Sequence, residues 1–352
     1  MRSLYGIGFV TVLFFTACSG ACPAPSGRSA EPPPLPKSER RGAYLGETPP
    51  GSEPALFAPG FVSRGLGERD AAFAPSGYAF YYSVLVGGFE HSVIMETRLR
   101  NGAWTAPAVA SFSGVYRDIE PAVSPDGSRL YFASDRPLEG NEGGDGDMNL
   151  WFAGLEGPDW GVPRPLPPQV NSSFKEFFPS PTRSGALYFC REDETGKTFV
   201  YRADRVEGGF GEAQQLPDTV NIGADRFNAF AAPDESYIIV CAYGIEGSVG
   251  GVDYWVSFRS TSGDWLPAVN MGEPVNTAGS REYSASVTAD GKYLFFMSSR
   301  TSSAEGGAAP LRTLEDVDAL AGRPGNGNSD IYWVSSEILE SLKRKATGGG
   351  GA

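Results

Sequence analysis

Short runs of alternating apolar and polar residues, each about five or six long and set off by turn residues, fill the chain from about residue 54 to 335. The fullest unit runs from Glu120 to Arg136 as EPAVSPDGSRLYFASDR. Pro125-Asp126-Gly127 marks a turn, because proline fixes φ and glycine accepts a positive φ. Residues 121–124 then read as one strand and Leu130–Ser134 as the next. After a Gly-rich loop, Asn149–Ala153 reads as a third strand, and the stretch from Trp160 to Val170-Asn171 as a fourth. Related units begin near Asp70, Glu176, Asn228 and Ser284. Aligned on Ser76, Asp126, Thr182, Asp234 and Asp290, the turns lie 50, 56, 52 and 56 residues apart. Several short strands repeated at roughly that period predict a β-propeller.

The remainders at the two ends predict how the ring closes. Asp330–Ser335 reads as a third strand with no fourth behind it, and Pro54–Val62 as a fourth strand with no blade of its own. Pairing them completes an all-β, five-bladed propeller of four-stranded antiparallel blades and covers exposed strand edges. A sixth blade would need another repeat, and none is visible. Ser336–Lys345 reads as a short helix ahead of a Gly-rich tail that runs to Ala352.

The N-terminus has a different pattern. Met1-Arg2-Ser3 precedes an apolar stretch, Leu4–Phe15, which ends at Phe15-Thr16-Ala17-Cys18. That ending resembles a bacterial lipobox and makes residues 1–18 an expected lipoprotein signal, with Cys18 the lipidation site. Residues 19–53 are rich in proline and lack an apolar period, so they are expected to form a disordered tether. The domain itself is expected at 54–335, and the helix and tail at 336–352. Cys190 and Cys241 hold equivalent positions in consecutive repeats. Neighbouring blades set such positions too far apart for a disulfide, so two buried thiols are expected.

Composition narrows the function. Of 352 residues, 41% are apolar and 12% aromatic, enough for a packed core, and Gly (46) and Pro (28) suit many turns. A formal charge of −13 with scattered Lys and Arg argues against nucleic acid. His91 is the sole histidine, which disfavours His-rich zinc sites and paired-histidine chemistry. Asp145-Gly-Asp147-Met-Asn149 alternates oxygen donors as a calcium loop does, but lacks the rest of an EF-hand. Asn149 also matches Asp253 and Asp330 at third-strand starts, which favours a structural role. No metal or cofactor is expected.

Ahead of each turn stand polar residues that radial repetition would gather near the central channel. These are Asp70, Glu120 and Glu176, with Arg117, Asp118, Asp225, Arg226, Arg281 and Glu282 close by. They form either a mixed-charge cup for a ligand or a set of acids tying off backbone N–H groups between blades. On the same face the loop from Thr301 to Ser329 is unusually long, and Thr313–Ala321 reads as a capped helical turn.

Trp265-Leu-Pro-Ala-Val-Asn-Met-Gly-Glu-Pro-Val-Asn-Thr-Ala-Gly, followed by Ala289-Asp-Gly-Lys-Tyr-Leu-Phe-Phe-Met-Ser-Ser, resembles the TolB-like, WD40-like Pro-Asp-Gly propeller repeat family. The resemblance covers about 54–335. It implies a bacterial exported lipoprotein, anchored by lipid in the cell envelope on its periplasmic or outer-membrane side. The expected role is a non-catalytic, monomeric binding or scaffolding module that presents its loop face to an envelope protein or a glycan. The alternative is a carbohydrate-active hydrolase or lyase working through carboxylates in the central cup.

Overall fold

The computed structural model describes residues 39–138, 147–301 and 311–348. All of them belong to one unit, Leu35–Ala352. Cys18, the signal segment, the tether up to residue 38 and Asp145 lie outside the described residues.

Among these residues the strands form five antiparallel sheets in a ring. From the axis outward, blade I holds Glu68–Phe73, Ala79–Val86 and His91–Arg100, with short outer segments at Ala103–Trp104 and Ala108–Val109. Blade II holds Asp118–Val123, Arg129–Ser134 and Asn149–Glu156, edged by Asp159–Trp160 and Arg164–Pro165. Blade III comprises Glu176–Pro181, Leu187–Glu192, Thr198–Ala203 and Gln214–Gln215. Blade IV comprises Asp225–Ala231, Tyr237–Tyr243, Asp253–Phe258 and Val269–Asn270. In blade V, Glu282–Val287, Tyr293–Ser298 and Asp330–Ser335 are completed by Ala55–Leu56. Ala55 stands opposite Trp333 and Leu56 opposite Tyr332, which is the predicted closure.

Each second strand is buried on both sides, as in Phe80, Tyr81 and Tyr82 or Leu187, Tyr188 and Phe189. The apolar core is therefore split into layers between blades. One such layer joins blades V and I through Phe57, Phe80, Phe295 and Trp333. The outer strands are short, and a recurrent asparagine holds them in place. Asn171, Asn221 and Asn276 accept hydrogen bonds at Oδ1 from the backbone N–H of Leu150, Val200 and Tyr254, at 2.8, 2.7 and 2.8 Å. Their Nδ2 groups donate back to the carbonyls of the same three residues. The Val-Asn pair that recurs in the sequence at Val170-Asn171, Val220-Asn221 and Val275-Asn276 is thus a clamp on the third strand.

Residues 39–53, expected within the tether, pack on the propeller instead. Leu45 is fully buried, and Tyr44 meets Phe73, Tyr293 and Trp333 edge-on or tilted. Trp104 donates its backbone N–H to Arg40 and its indole N–H to Gly42, both at 2.8 Å. Proline content marked the segment as extended, but two apolar side chains suffice to pin it. At the other end, Glu337–Ala346 is a helix whose Leu339 and Leu342 are buried. Cys190 and Cys241 are buried free thiols, and burial pushes the Cys190 thiol up to about 12.

Candidate functional site

Every inner strand carries the same irregularity. Pairing with the second strand shifts register between Arg69 and Ala72, Ile119 and Ala122, Phe177 and Ser180, Phe227 and Phe230, and Tyr283 and Ser286. Within each bulge one residue takes a left-handed φ: Asp70 (59°), Glu120 (62°), Phe178 (52°), Asn228 (48°) and Ser284 (64°). A bulge re-aims a side chain, and a non-glycine residue with this backbone costs roughly 1–2 kcal/mol. Something must offset that cost five times over.

The offset is a polar plug on the axis. Arg69 donates from Nε to Asp70 (2.8 Å) and from Nη2 to Glu120 (3.0 Å) and the Ser284 hydroxyl (2.8 Å). Asn228 donates from Nδ2 to Glu120 (3.0 Å) and to Ser284 (3.1 Å). The Phe178 backbone N–H donates to the second Glu120 oxygen at 2.7 Å. All five blades contribute. Tyr283 lies under the Arg69 guanidinium, 4.6 Å from its centre. Burial pushes the Glu120 carboxyl up to about 7, against the pull of Arg69 and with the push of Asp70.

Two residues earlier on each inner strand sits a second set: Glu68, Asp118, Glu176, Arg226 and Glu282. All are buried and committed to their own surroundings. Glu68 accepts from the N–H groups of Arg64, Leu66 and Gly67. Asp118 pairs with Arg136 at 2.9 Å, and Glu176 with Arg191 at 2.8 Å and with Ser172. Glu282 accepts from Thr277, Ser280 and Ser298. Arg226 reverses the sign and donates to the carbonyls of Ile222, Thr198 and Gly223. Burial raises the carboxyls of Asp118, Glu176 and Glu282 above their usual range.

The predicted residues thus part company. Asp70 and Glu120 meet in the plug. Asp118, Glu176, Arg226 and Glu282 are buried struts: Glu176 accepts from the Ser172 N–H, Asp118 and Glu282 bond to side chains, and Arg226 donates to carbonyls. Asp225 caps the N–H groups of Thr198 and Arg226. Arg117 reaches the channel mouth and pairs with Asp135 at 2.7 Å, whereas Arg281 is exposed. Glu176 was aligned with Asp70 and Glu120, but Phe178 holds that position. Thr182 N–H closes the blade III turn as Ser124 N–H closes that of blade II, so Arg183 holds the place of Pro125. Pro181 lies two residues earlier, in the strand, and alignment on it slips by two.

The plug separates two mouths. On the loop face, a cavity of about 520 Å³ is walled by Phe89, Ile119, Met148, Phe177, Phe227 and Tyr283, with Arg69, Arg117, Glu120, Lys175 and Glu192 as its ionisable groups. Lys175 and Glu192 are paired at 3.1 Å. Around it the loop face exposes Leu66 (53%), Val115 (84%), Tyr116 (41%), Phe174 (40%) and Tyr243 (42%). The long blade V loop also lies here. Its helix, Leu314–Ala321, is capped reciprocally by Thr313 and Asp316 and buries none of its residues, while Asn326 and Asn328 donate to the Gly65 carbonyl. Residues 302–310 of that loop lie outside the described residues.

On the opposite, turn-bearing face lies a cup of about 330 Å³ that the sequence did not announce. Its walls are Phe73, Phe178, Phe230 and Phe295 with Pro75, Pro125, Pro181 and Pro233, and Arg183 stands among them. The prolines could have signalled it, since the same residues that make the turns also line the cup. His91 is exposed at the start of its strand in blade I. Among the described residues no cluster of three potential metal ligands occurs.

No protein-family model matches the chain, and no curated protein matches it. Solved propellers do. TolB from Acinetobacter baumannii is 13% identical, with 76% of this chain and 57% of that chain covered, at a TM-score of 0.43. The chain therefore spans little more than half of that protein. A GH43 endo-arabinanase from Bacillus licheniformis is 12% identical over 77% of this chain and 94% of its own, at a TM-score of 0.46. A periplasmic gluconolactonase from Pseudomonas aeruginosa is 15% identical over 65% and 64%, at 0.38. A fold by itself does not fix a role, because one fold hosts unrelated functions.

Proposed function

We propose that this chain is a non-catalytic binding propeller of the bacterial cell envelope, held there by a lipid on Cys18, whose loop face docks a protein or glycan partner. The observation that carries the reading is the concentration of exposed apolar side chains on that face. Leu66, Val115, Tyr116, Phe174 and Tyr243 surround an aromatic-walled mouth with charges at its edge. Apolar surface rimmed by polar groups is the mark of an interaction surface, and it favours a protein over a glycan. The aromatic walls would also stack on a sugar ring.

The alternative, a carbohydrate-active hydrolase or lyase, draws support from one group. Glu120, with its proton held to about pH 7, has the character of a general acid. Against it, Glu120 accepts hydrogen bonds from Arg69, Asn228 and Phe178, and the nearby Asp70 is bonded to the same arginine.

Capture of partners from envelope extract tests the proposal with two variants. Val115→Asp with Phe174→Asp should lose the captured partner at least tenfold. Tyr78→Asp, at an exposed position on the turn face, should retain it. Equal capture by both variants would refute the loop-face assignment. Turnover of oligosaccharides that is lost in Glu120→Gln would establish the alternative.

A further inference from the structure

Two neighbouring crevices on the turn face share a set of residues and differ in one. Between blades III and IV, Glu235 stands in the blade IV turn with a left-handed φ of 60°, and its N–H donates to the Ala232 carbonyl. Its carboxylate accepts from the Tyr188 hydroxyl (2.7 Å), the Ser184 hydroxyl (2.6 Å) and Arg202 Nε (3.0 Å), with Arg259 at 3.5 Å. Between blades II and III the place of Glu235 falls to Gly185, whose φ is 85° and whose N–H donates to Thr182 in the same way. Tyr131 matches Tyr188 as the second residue of its blade's core pair, Leu130-Tyr131 against Leu187-Tyr188. Arg205 matches Arg259: each guanidinium stacks 5.3 Å from the ring opposite it, Phe210 or Trp265. Phe152 takes the place of Arg202 opposite the tyrosine, but Arg129 stacks on it at 5.0 Å and restores the charge.

The crevice between blades II and III, about 400 Å³, is lined by Arg129, Arg205 and a third arginine, Arg183. Among the described residues none of the three forms an ion pair. The Tyr131 hydroxyl accepts from Arg129 at 3.5 Å and donates to no described residue. Asp126 is the one carboxylate in the lining, and its Oδ1 is held inside its own turn by Ser124 and Ser128.

We propose that this crevice binds a small carboxylate ligand, which accepts from Arg129, Arg205 and the Tyr131 hydroxyl as Glu235 accepts from Arg202, Arg259 and Tyr188. Guanidinium groups suit a planar two-oxygen acceptor, and hydrogen bonds to a charged acceptor are the stronger kind. The neighbouring crevice shows a carboxylate on the matching donors. Asp126 would repel the second charge of a phosphate dianion. The site lies apart from the loop-face mouth and stands or falls without it.

Ligand-observed NMR titration of the full chain at low ionic strength, with D-glucuronate, D-glucose and inorganic phosphate, tests the assignment. Glucuronate should bind saturably and at least tenfold tighter than glucose, and tighter than phosphate. Arg205→Gln should weaken glucuronate at least fivefold, whereas Arg259→Gln, the same change in the neighbouring crevice, should leave it unaltered. Tyr131→Phe removes the hydroxyl donor and should weaken glucuronate about threefold. Gly185→Glu supplies the acid that blade IV carries, and should abolish binding. Equal affinity for glucuronate and glucose would overturn the proposal. So would equal losses in Arg205→Gln and Arg259→Gln, or tighter binding of phosphate than of glucuronate.

Discussion

Glu120 and Glu68 hold their protons unusually well for carboxylic acids, and the cause is burial in both cases. Burial pushes Glu68 up to about 7, with Asp330 adding to it, and Glu120 reaches about 7 in the plug. A folded-state pKa above the unfolded value means that the native chain binds more protons between roughly pH 4.5 and 7. The stability this supplies is fully present below the unfolded value and is lost as pH rises through 7. Thermal unfolding should therefore show a higher midpoint at pH 6 than at pH 8. Glu120→Gln should flatten the dependence in part and leave the share due to Glu68. A midpoint that climbs from pH 6 to pH 8 would contradict the assignment. Asp126 acts in the opposite sense, because Ser124 and Ser128 hydrogen bonds hold its carboxyl low. Its contribution is lost only in stronger acid. Sequence marked Glu120 as a candidate, since it repeats with Asp70. Its partner Arg69 was invisible, because only the bulge brings residues 69, 120, 228 and 284 to one point.

At the scale of elements, the turns were legible and the outer strands only partly so. Proline, aspartate and glycine act on their own backbone, so a local motif is enough to read Pro125-Asp126-Gly127. The two-residue slip at Glu176 arose because blade III carries Arg183 where the other turns carry Pro75, Pro125, Pro233 or Ala289, while Pro181 lies two residues earlier in the strand. The Val-Asn recurrence was visible, but its meaning needed the cross-strand partner. Asn221→Ala removes both bonds to Val200 and leaves buried backbone groups unpaired, which should cost about 1–3 kcal/mol in a denaturant titration. The N-terminal strap makes a sharper contrast. If residues 39–53 were a solvated tether, Leu45→Ala would leave stability unchanged. With Leu45 fully buried, the same substitution should cost about 2–5 kcal/mol.

For the whole molecule, ring closure was readable because the C-terminal end of the repeat array lacked one strand and the N-terminal end carried a spare one, and Ala55–Leu56 fills the gap in blade V. The division into two mouths was not readable, since it depends on five separate bulges meeting on the axis. That division sets the functional account, in which the loop face turns its exposed apolar residues to a large partner. Hydrogen exchange on the full chain with and without its captured partner tests the loop-face claim most directly. Protection should concentrate at the backbone around residues 64–66, 112–117, 172–175 and 243–248, leaving the turns at 76–77, 126–127, 234–235 and 290–291 unchanged. Protection of those turns with an unaltered loop face would contradict it.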